Sequence, residues 1–426
     1  MVQNTAQRPR FWRASLVYFL GNLLSKLALF FMLPVYTAHI PTADMGVFDT
    51  AVAATVFVSS FLFLDVGIGV MRFYLARRAQ DTGDAILLAG LVLLAVSLAV
   101  YFPVAFAIAR LTAVPHAELV VRYGIAYAFF TASGYFARAK GKTLIYAVTG
   151  VGVTLLQIAL NLIFLLGGRF GYEALYISYD ISAMLGALVL FGSSGVLMTV
   201  RKFPPIGKEL KALFRFCLPL GLGAAAFLLL SSCNRVLVTL WVGASAGGEF
   251  AVAMKFAQIA FLVGSAFRFA WQEYSFAKGY GEAGQRTDKA YYTHKLKLLC
   301  CVLLLAALAL IPAVYLGLWI FPNFIAPAYD GARALIPPIL VGALLSVLAD
   351  FLEPLFGTLQ RTGLLTLSTL LGAAFNVALT LVLIYFGCGA FGAALGYLGG
   401  FAVVVALRLL FLRRLMSPQN SPTMSI

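Results

Sequence analysis

Twelve uninterrupted apolar runs of roughly 20 residues or more follow one another along the chain. Runs of this length match the hydrocarbon thickness of a bilayer, and because they are continuously apolar rather than alternating, they predict helices and not a barrel. Composition agrees, since only 11% of the residues are charged, against about 25% in soluble domains. We therefore predict an all-α polytopic membrane protein with twelve transmembrane helices, at residues 14–38, 46–70, 85–110, 117–137, 144–166, 174–198, 212–243, 248–270, 295–320, 335–357, 364–386 and 390–412.

The 31 lysines and arginines are distributed unevenly between the loops. If the N-terminus is placed in the cytoplasm and successive loops alternate between the two sides, 24 of these residues fall on the cytoplasmic side and three fall inside spans. Arg408 is counted among the 24. Because cytoplasmic loops carry an excess of basic residues, this bias predicts that both termini are cytoplasmic. Basic residues scattered over short loops suit a membrane face better than nucleic acid. The outer loops hold only four: Arg110, Arg122, Arg169 and Arg333.

The two halves of the chain show signs of a repeat. Gly46-Val47-Phe48 and Gly248-Glu249-Phe250 each open a span at an offset of 202 residues, and Gln157 matches Asn376 at an offset of 219. Six spans are an even number of crossings, so both halves share one orientation around a central cavity. The predicted organisation is an N-terminal six-helix bundle at 1–200, a cytoplasmic linker at 201–211, a C-terminal six-helix bundle at 212–416 and a disordered tail at 417–426.

Several kinds of site are not indicated by the sequence. The five cysteines lack a CxxC spacing, and the three histidines lie far apart, so neither a disulfide framework nor a metal site is expected. Walker and dinucleotide-binding motifs are missing, and we expect no cofactor. The loops are short, which argues against an enzyme that gathers acid and base groups outside the membrane.

Three cations lie deep inside apolar spans: Lys26, Arg235 and Lys255. A charge at that depth costs about 2.5–3.5 kcal/mol even on the lenient insertion scale, so these side chains are expected to face something other than lipid. We predict that they face the central cavity and bind the anionic part of a substrate. The alternative is that they form structural salt bridges with the acidic residues Asp65, Asp180, Asp350 or Glu353.

Those four carboxylates are candidate gate or coupling residues. Asp65, near the cytoplasmic end of the second span, is a candidate gate residue paired with a cytoplasmic arginine such as Arg72 or Arg268, or is simply hydrated. Asp180 is a candidate cation or proton site. Asp350 and Glu353 are three residues apart and share a helix face. They are candidates for coupling to Na⁺ or H⁺, or they hold their helix to basic loop residues.

Six short motifs are distributed along the chain: Gly21-Asn22-Leu23-Leu24-Ser25-Lys26, Leu33-Pro34, Met45-Gly46-Val47-Phe48, Leu64-Asp65-Val66-Gly67-Ile68, Arg138-Ala139-Lys140-Gly141-Lys142 and Phe216-Cys217-Leu218-Pro219-Leu220. In these motifs the chain resembles the polysaccharide transporter branch of the multidrug/oligosaccharidyl-lipid/polysaccharide flippase superfamily. It departs from that family at two points: Asn234-Arg235 stands where an Asp-Arg pair is frequent, and Phe250 stands where Gly-x-Tyr opens the eighth span.

This resemblance implies a flippase that moves an undecaprenyl-pyrophosphate-linked oligosaccharide across the bacterial inner membrane by alternating access. The first, second, seventh and eighth spans would line its cavity. Expected partners are that lipid-linked oligosaccharide, membrane lipid and other polysaccharide assembly proteins, with no nucleic acid. A multidrug or cation antiporter of the same superfamily, a membrane enzyme and a structural subunit are the competing interpretations.

Overall fold

The computed structural model describes residues 23–77, 83–168, 170–196, 205–279, 305, 308–358 and 362–415. Within these ranges the regular elements are helices, with no strand, so the predicted all-α fold is confirmed. The predicted tail at 417–426, the start of the predicted linker and most of the cytoplasmic loop around 279–294 lie outside the described residues.

Each of the twelve predicted spans overlaps a helix of the structure, and the second span is divided between two helices. Apolar length therefore located the helices correctly. In chain order they are α1 Leu23–His39, α2 Thr42–Phe63, α3 Val66–Arg77, α4 Gly83–Leu111, α5 Ala117–Ala139, α6 Thr143–Leu166, α7 Glu173–Ser194, α8 Gly207–Trp241, α9 Ala244–Gly279, α10 Leu308–Ile320, α11 Ala332–Thr358, α12 Thr362–Tyr385 and α13 Gly389–Leu415.

Eight of the described helices are long and apolar enough to cross a membrane on length and composition alone. They are α2, α4, α6, α7, α8, α11, α12 and α13. Large apolar side chains such as Leu111, Leu240 and Trp319 are mostly exposed. Outward-facing apolar surface of this kind is what lipid contact requires.

The chain divides into two compact units. The N-terminal unit comprises residues 1–40 and 47–225, and the C-terminal unit comprises residues 41–46 and 226–426. The division falls within α8, so this helix contributes residues to both units.

In the N-terminal unit, α5 packs against α7 and α3, and α3 also packs against α4. Val70 of α3, Leu87 of α4 and Phe136 of α5 are completely buried in one hydrophobic cluster. This packing fixes the short helix α3, and with it the position of Asp65 just before its first residue.

In the C-terminal unit, α13 packs against α12 and α11, and α11 also packs against α9. A Cβ atom on Gly372 of α12 would lie 2.9 Å from the Gly400 carbonyl oxygen of α13. Small residues thus let these two backbones approach closely, as is frequent between membrane helices. On the same side, a Cβ on Gly400 would lie 2.7 Å from the Asn376 side chain.

Candidate functional site

The three predicted substrate-binding cations belong to different units. Lys26 lies on α1 of the N-terminal unit, whereas Arg235 on α8 and Lys255 on α9 belong to the C-terminal unit. All three side chains are half-buried. They are thus partly withdrawn from the outer surface of their own units, as the cost of exposing a charge to lipid requires.

Within the C-terminal unit, Arg235 and Asp350 lie near the same tyrosine. Tyr397 of α13 is completely buried, and the charges of Arg235 and Asp350 both act on its hydroxyl group. A sequence-predicted cation and a sequence-predicted carboxylate are therefore brought into one electrostatic neighbourhood.

A buried arginine on α13 is the functional-site candidate that the sequence missed. Arg408 is only 6% exposed, and it lies near Glu353 and Asp350. Its guanidinium group donates hydrogen bonds to the Ala349 carbonyl at 2.6 Å and to the hydroxyls of Ser368 and Thr369 at 3.2 Å each.

The assignment of Arg408 to a cytoplasmic loop is therefore wrong. Its position inside the last apolar run, before the paired Arg413 and Arg414, was the available signal. Glu353 itself is exposed, while Asp350 is half-buried.

Asp180 on α7 lies beside an arginine of the N-terminal unit. The carboxylate is 4% exposed, and its Oδ2 atom is 3.5 Å from Nε of Arg122 on α5. Arg122 belongs to a helix and not to an outer loop, where its place in the sequence had put it. The rings of Tyr123 and Tyr179 stack with centroids 4.2 Å apart, and Asp180 acts electrostatically on Tyr179. A structural ion pair is thus the simplest role for Asp180.

Asp65 occupies the junction between α2 and α3, where it lines a cavity of about 40 Å³. The sequence had placed it in a continuous second span. Of its two suggested arginine partners, Arg72 lies over the Phe216 ring, 4.3 Å from the centroid, and the side chain of Arg268 lies outside the described part of the chain. Besides Asp65, polar side chains of the cavity wall come from Ser59, Ser60, Tyr127, Thr131 and Tyr135.

Asn234 explains one departure from the family pattern. Its Nδ2 group donates to Asn376 Oδ1 at 2.9 Å, Thr380 Oγ1 at 2.8 Å and the Ala393 carbonyl at 2.9 Å. In return, Asn376 Nδ2 donates to Asn234 Oδ1 at 2.8 Å. An ionised aspartate accepts hydrogen bonds but cannot donate them, so it would not satisfy the oxygens that surround Asn234.

Among the described residues, no group of three or more His, Cys, Asp or Glu side chains is arranged to hold a metal ion. The polar groups of the two units are instead single carboxylates, basic side chains, amides and hydroxyls. The basic side chains, amides and hydroxyls can bind an anionic headgroup. A single carboxylate can bind a monovalent cation, because such a cation needs fewer anionic ligands than a divalent metal.

The sequence matches no protein-family model, and no curated protein is similar to it at a significant level. Solved structures do match it over nearly its full length. An inward-facing multidrug resistance MATE family transporter of the MOP superfamily aligns with a TM-score of 0.74 and 15% identity, covering 94% of each chain.

The lipid II flippase MurJ in an inward closed conformation aligns with a TM-score of 0.72 and 11% identity, covering 93% of this chain and 87% of MurJ. An outward-facing multidrug resistance MATE transporter aligns with a TM-score of 0.58 and 17% identity, covering 96% of each chain. At these identities the likeness concerns the fold. This chain has the fold that MATE transporters and the flippase MurJ share.

Proposed function

We propose that this protein is a membrane transporter that flips a polyprenyl-pyrophosphate-linked oligosaccharide across the bacterial inner membrane by alternating access. The observation that carries this proposal is the presence of half-buried cations on α1, α8 and α9, in a fold that a lipid II flippase also has. We assign substrate binding to Lys26, Arg235 and Lys255.

The chemistry of the pyrophosphate supports this assignment. Arg235 offers a planar fork of donors that matches a pair of phosphate oxygens, while Lys26 and Lys255 offer compact point charges. In surroundings of low dielectric, such charge-assisted hydrogen bonds are stronger than in water. Asp350, whose charge acts on Tyr397 as that of Arg235 does, is together with Glu353 our candidate for Na⁺ or H⁺ coupling.

A flipping assay in proteoliposomes tests the proposal. A fluorescent polyprenyl-pyrophosphate oligosaccharide is reconstituted with the full chain, and its transfer is measured by quenching with a reagent that cannot cross the membrane. We expect Arg235→Ala and Lys255→Ala to reduce flipping at least tenfold, because each removes about 1.5–3 kcal/mol of charged hydrogen bonding.

The matched control is Arg413→Ala, because Arg413 is an exposed arginine of the same unit at the end of α13. It should flip at the wild-type rate. Wild-type rates in both Arg235→Ala and Lys255→Ala, with normal expression, would remove the basis of the proposal.

The fold likeness to multidrug resistance MATE transporters supports a second candidate function, export of cationic drugs. It would use the carboxylates of the N-terminal unit, Asp65 and Asp180, rather than the three cations. In the same proteoliposomes, an antiporter would move a cationic dye such as ethidium against a Na⁺ or H⁺ gradient. Dye transport that survives Arg235→Ala but is lost in Asp65→Asn would favour this function over lipid flipping.

A further inference from the structure

The second transmembrane span is broken by two residues in an unusual backbone conformation. Leu64 and Asp65 have φ angles of 53° and 47°, in the left-handed region that residues other than glycine rarely adopt. Such strained positions persist only where the surroundings enforce them, and they concentrate at binding sites. An α-helix also leaves its last four carbonyl groups without partners inside the helix, and at the end of α2 these are the carbonyls of residues 60–63.

Close contacts within the N-terminal unit hold this break in place. A Cβ atom on Gly67 would lie 2.6 Å from the Tyr135 ring of α5, and one on Gly221 of α8 would lie 2.9 Å from the Leu64 Cα atom. Only glycine allows either approach. The break is therefore built into the packing of α3, α5 and α8.

The cavity of about 40 Å³ lies beside the break. A water molecule needs roughly 10–15 Å³ of such space, so the cavity has room for an ion with one or two waters. Oxygen atoms dominate its polar lining: the Asp65 carboxylate and the hydroxyls of Ser60, Tyr127 and Thr131. Ser60 of α2 and Tyr127 of α5 thus both contribute a hydroxyl group to the wall of the cavity.

Among the described residues, the titratable side chains closest to Asp65 are tyrosines and a cysteine. The titratable side chains on which Asp65 acts are Tyr127 and Tyr135 of α5 and Cys217 of α8. The nearby arginine Arg138 lies over the Tyr135 ring at 4.3 Å. Within the described ranges, the structure shows no ion pair to Asp65. The Asp65 carboxyl group thus lies among hydroxyl oxygens of the cavity wall, with Arg138 over the ring of Tyr135.

We propose that this cavity binds a single small monovalent cation, Na⁺, with the Asp65 carboxylate as its anionic ligand. Hydroxyl groups of the lining and the last carbonyls of α2 complete its coordination. Unwound helix segments with free carbonyls are used in this way by membrane transporters. The negative dipole end of α2 favours a cation, and the positive dipole end of α3 favours the carboxylate.

The lining favours a monovalent ion for two reasons. Ca²⁺ takes six to eight oxygen ligands, usually from several carboxylates, and Mg²⁺ demands octahedral geometry. The cavity offers one carboxylate. Its hard oxygen ligands suit Na⁺ better than a soft transition metal. This site is independent of the identity of the transported substrate.

Sodium binding to the full chain in detergent or nanodiscs tests the proposal. We expect the cavity to bind one ²²Na⁺ per chain, and the melting temperature to be higher in NaCl than in choline chloride of equal ionic strength, because a ligand that binds only the folded state stabilises it. Asp65→Asn should remove this one ²²Na⁺ per chain and lower the gain in melting temperature, whether or not Asp350 and Glu353 bind a second ion. Thr131→Val, which keeps the side-chain shape, should weaken ²²Na⁺ binding at the cavity several-fold.

The matched control is Asp84→Asn, which removes another carboxylate of the same unit, one that lies 3.9 Å from Lys140 and outside the cavity. It should bind Na⁺ like the wild type. The proposal is overturned if the wild type does not bind Na⁺, or if Asp65→Asn binds Na⁺ as the wild type does. If Asp65→Asn does not fold, unchanged Na⁺ binding by Thr131→Val overturns it. Failure of lipid flipping alongside intact Na⁺ binding would count against the proposed function only.

Discussion

Arg408 is a charged side chain in the interior of the C-terminal unit, held by a carbonyl and two hydroxyls. Replacing it with Met keeps much of the volume but leaves these three oxygens and the nearby carboxylates without their donor. We expect Arg408→Met to destabilise the protein by about 3 kcal/mol, the usual cost of breaking a buried charged network. The fall in melting temperature in detergent measures this effect.

The control for this substitution is Arg413→Met on the same helix. Arg413 is exposed, and surface substitutions usually change stability by less than about 0.5 kcal/mol. Equal melting temperatures for the two variants would show that Arg408 is not part of a stabilising network.

The amide pair of Asn234 and Asn376 gives a second prediction at this scale. Asn376 Nδ2 donates to the Leu230 carbonyl at 2.9 Å and to Asn234 Oδ1, so Asn376→Leu leaves several buried polar atoms unsatisfied. We expect a loss of about 1–3 kcal/mol, again measured as a lower melting temperature. Gln157→Leu, at the matching position of the first half, should have little effect, because the half-buried Gln157 side chain shows no hydrogen bond to the described residues. Equal losses would contradict a specific role for the amide pair.

At the scale of helices, the start of α9 packs very tightly against the segment 41–46 of the same unit. A Cβ on Gly46 would overlap the Ala244 carbonyl oxygen, and a Cβ on Gly248 would overlap that of Thr42. Thr42 and Ala244, like Gly46 and Gly248, are separated by the offset of 202 residues found in the sequence. The two contacts are thus reciprocal, and this part of the sequence repeat has a structural counterpart.

Gly248→Ala is therefore expected to force these backbones apart. Overpacking of this kind costs about 1–3 kcal/mol, and more where the obstructing atom belongs to the backbone. Gly150→Ala is the control, because a methyl group added to Gly150 of α6 would have no described atom within 4 Å. At a helix position with free space, replacing glycine with alanine stabilises the helix by about 0.5–1 kcal/mol. The melting temperatures should move in opposite directions, and a rise for Gly248→Ala would contradict the close approach.

The positions of the helices were predictable from the sequence because apolar length alone decides where a chain can cross a bilayer. The break at Leu64 and Asp65 was not predictable, because the surrounding run stays apolar. It depends on Tyr135 and Gly221, which are far away in the sequence. A left-handed turn of this kind follows from tertiary packing, not from local propensity.

The candidate site was predictable only in part, for a similar reason. A charge within an apolar run indicates a site, and that reasoning selected Lys26, Arg235 and Asp65. It does not identify the partner of that charge. Arg408 was counted with the loops because basic residues cluster at the ends of spans. Its hydrogen bonds go to α11 and α12, whose proximity to α13 is a property of the folded unit.

For the whole molecule, some polar side chains near the predicted outer loops have acidic partners within their own units. His116 lies 2.9 Å from Glu173 in the N-terminal unit, and Arg333 lies 2.9 Å from Asp330 in the C-terminal unit. Basic residues at the predicted cytoplasmic ends, such as Arg413, lie exposed in the last turn of a helix. On the same predicted side, Lys140 lies 3.9 Å from Asp84, so partners alone do not distinguish the two sides. The orientation stays a prediction from the distribution of Lys and Arg.

Labelling of a native cysteine tests that orientation. Cys388 is exposed in the short connection between α12 and α13, which the topology places outside, whereas Cys217 is buried. We expect an impermeant maleimide to label the wild type in intact cells or spheroplasts, and Cys388→Ser to lose this labelling. In the Cys388→Ser background, Lys142→Cys, on the predicted cytoplasmic side and exposed, should react only after the membrane is permeabilised. The reverse pattern would place both termini outside, because the positions of Cys388 and Lys142 on opposite sides fix the direction of every span between them.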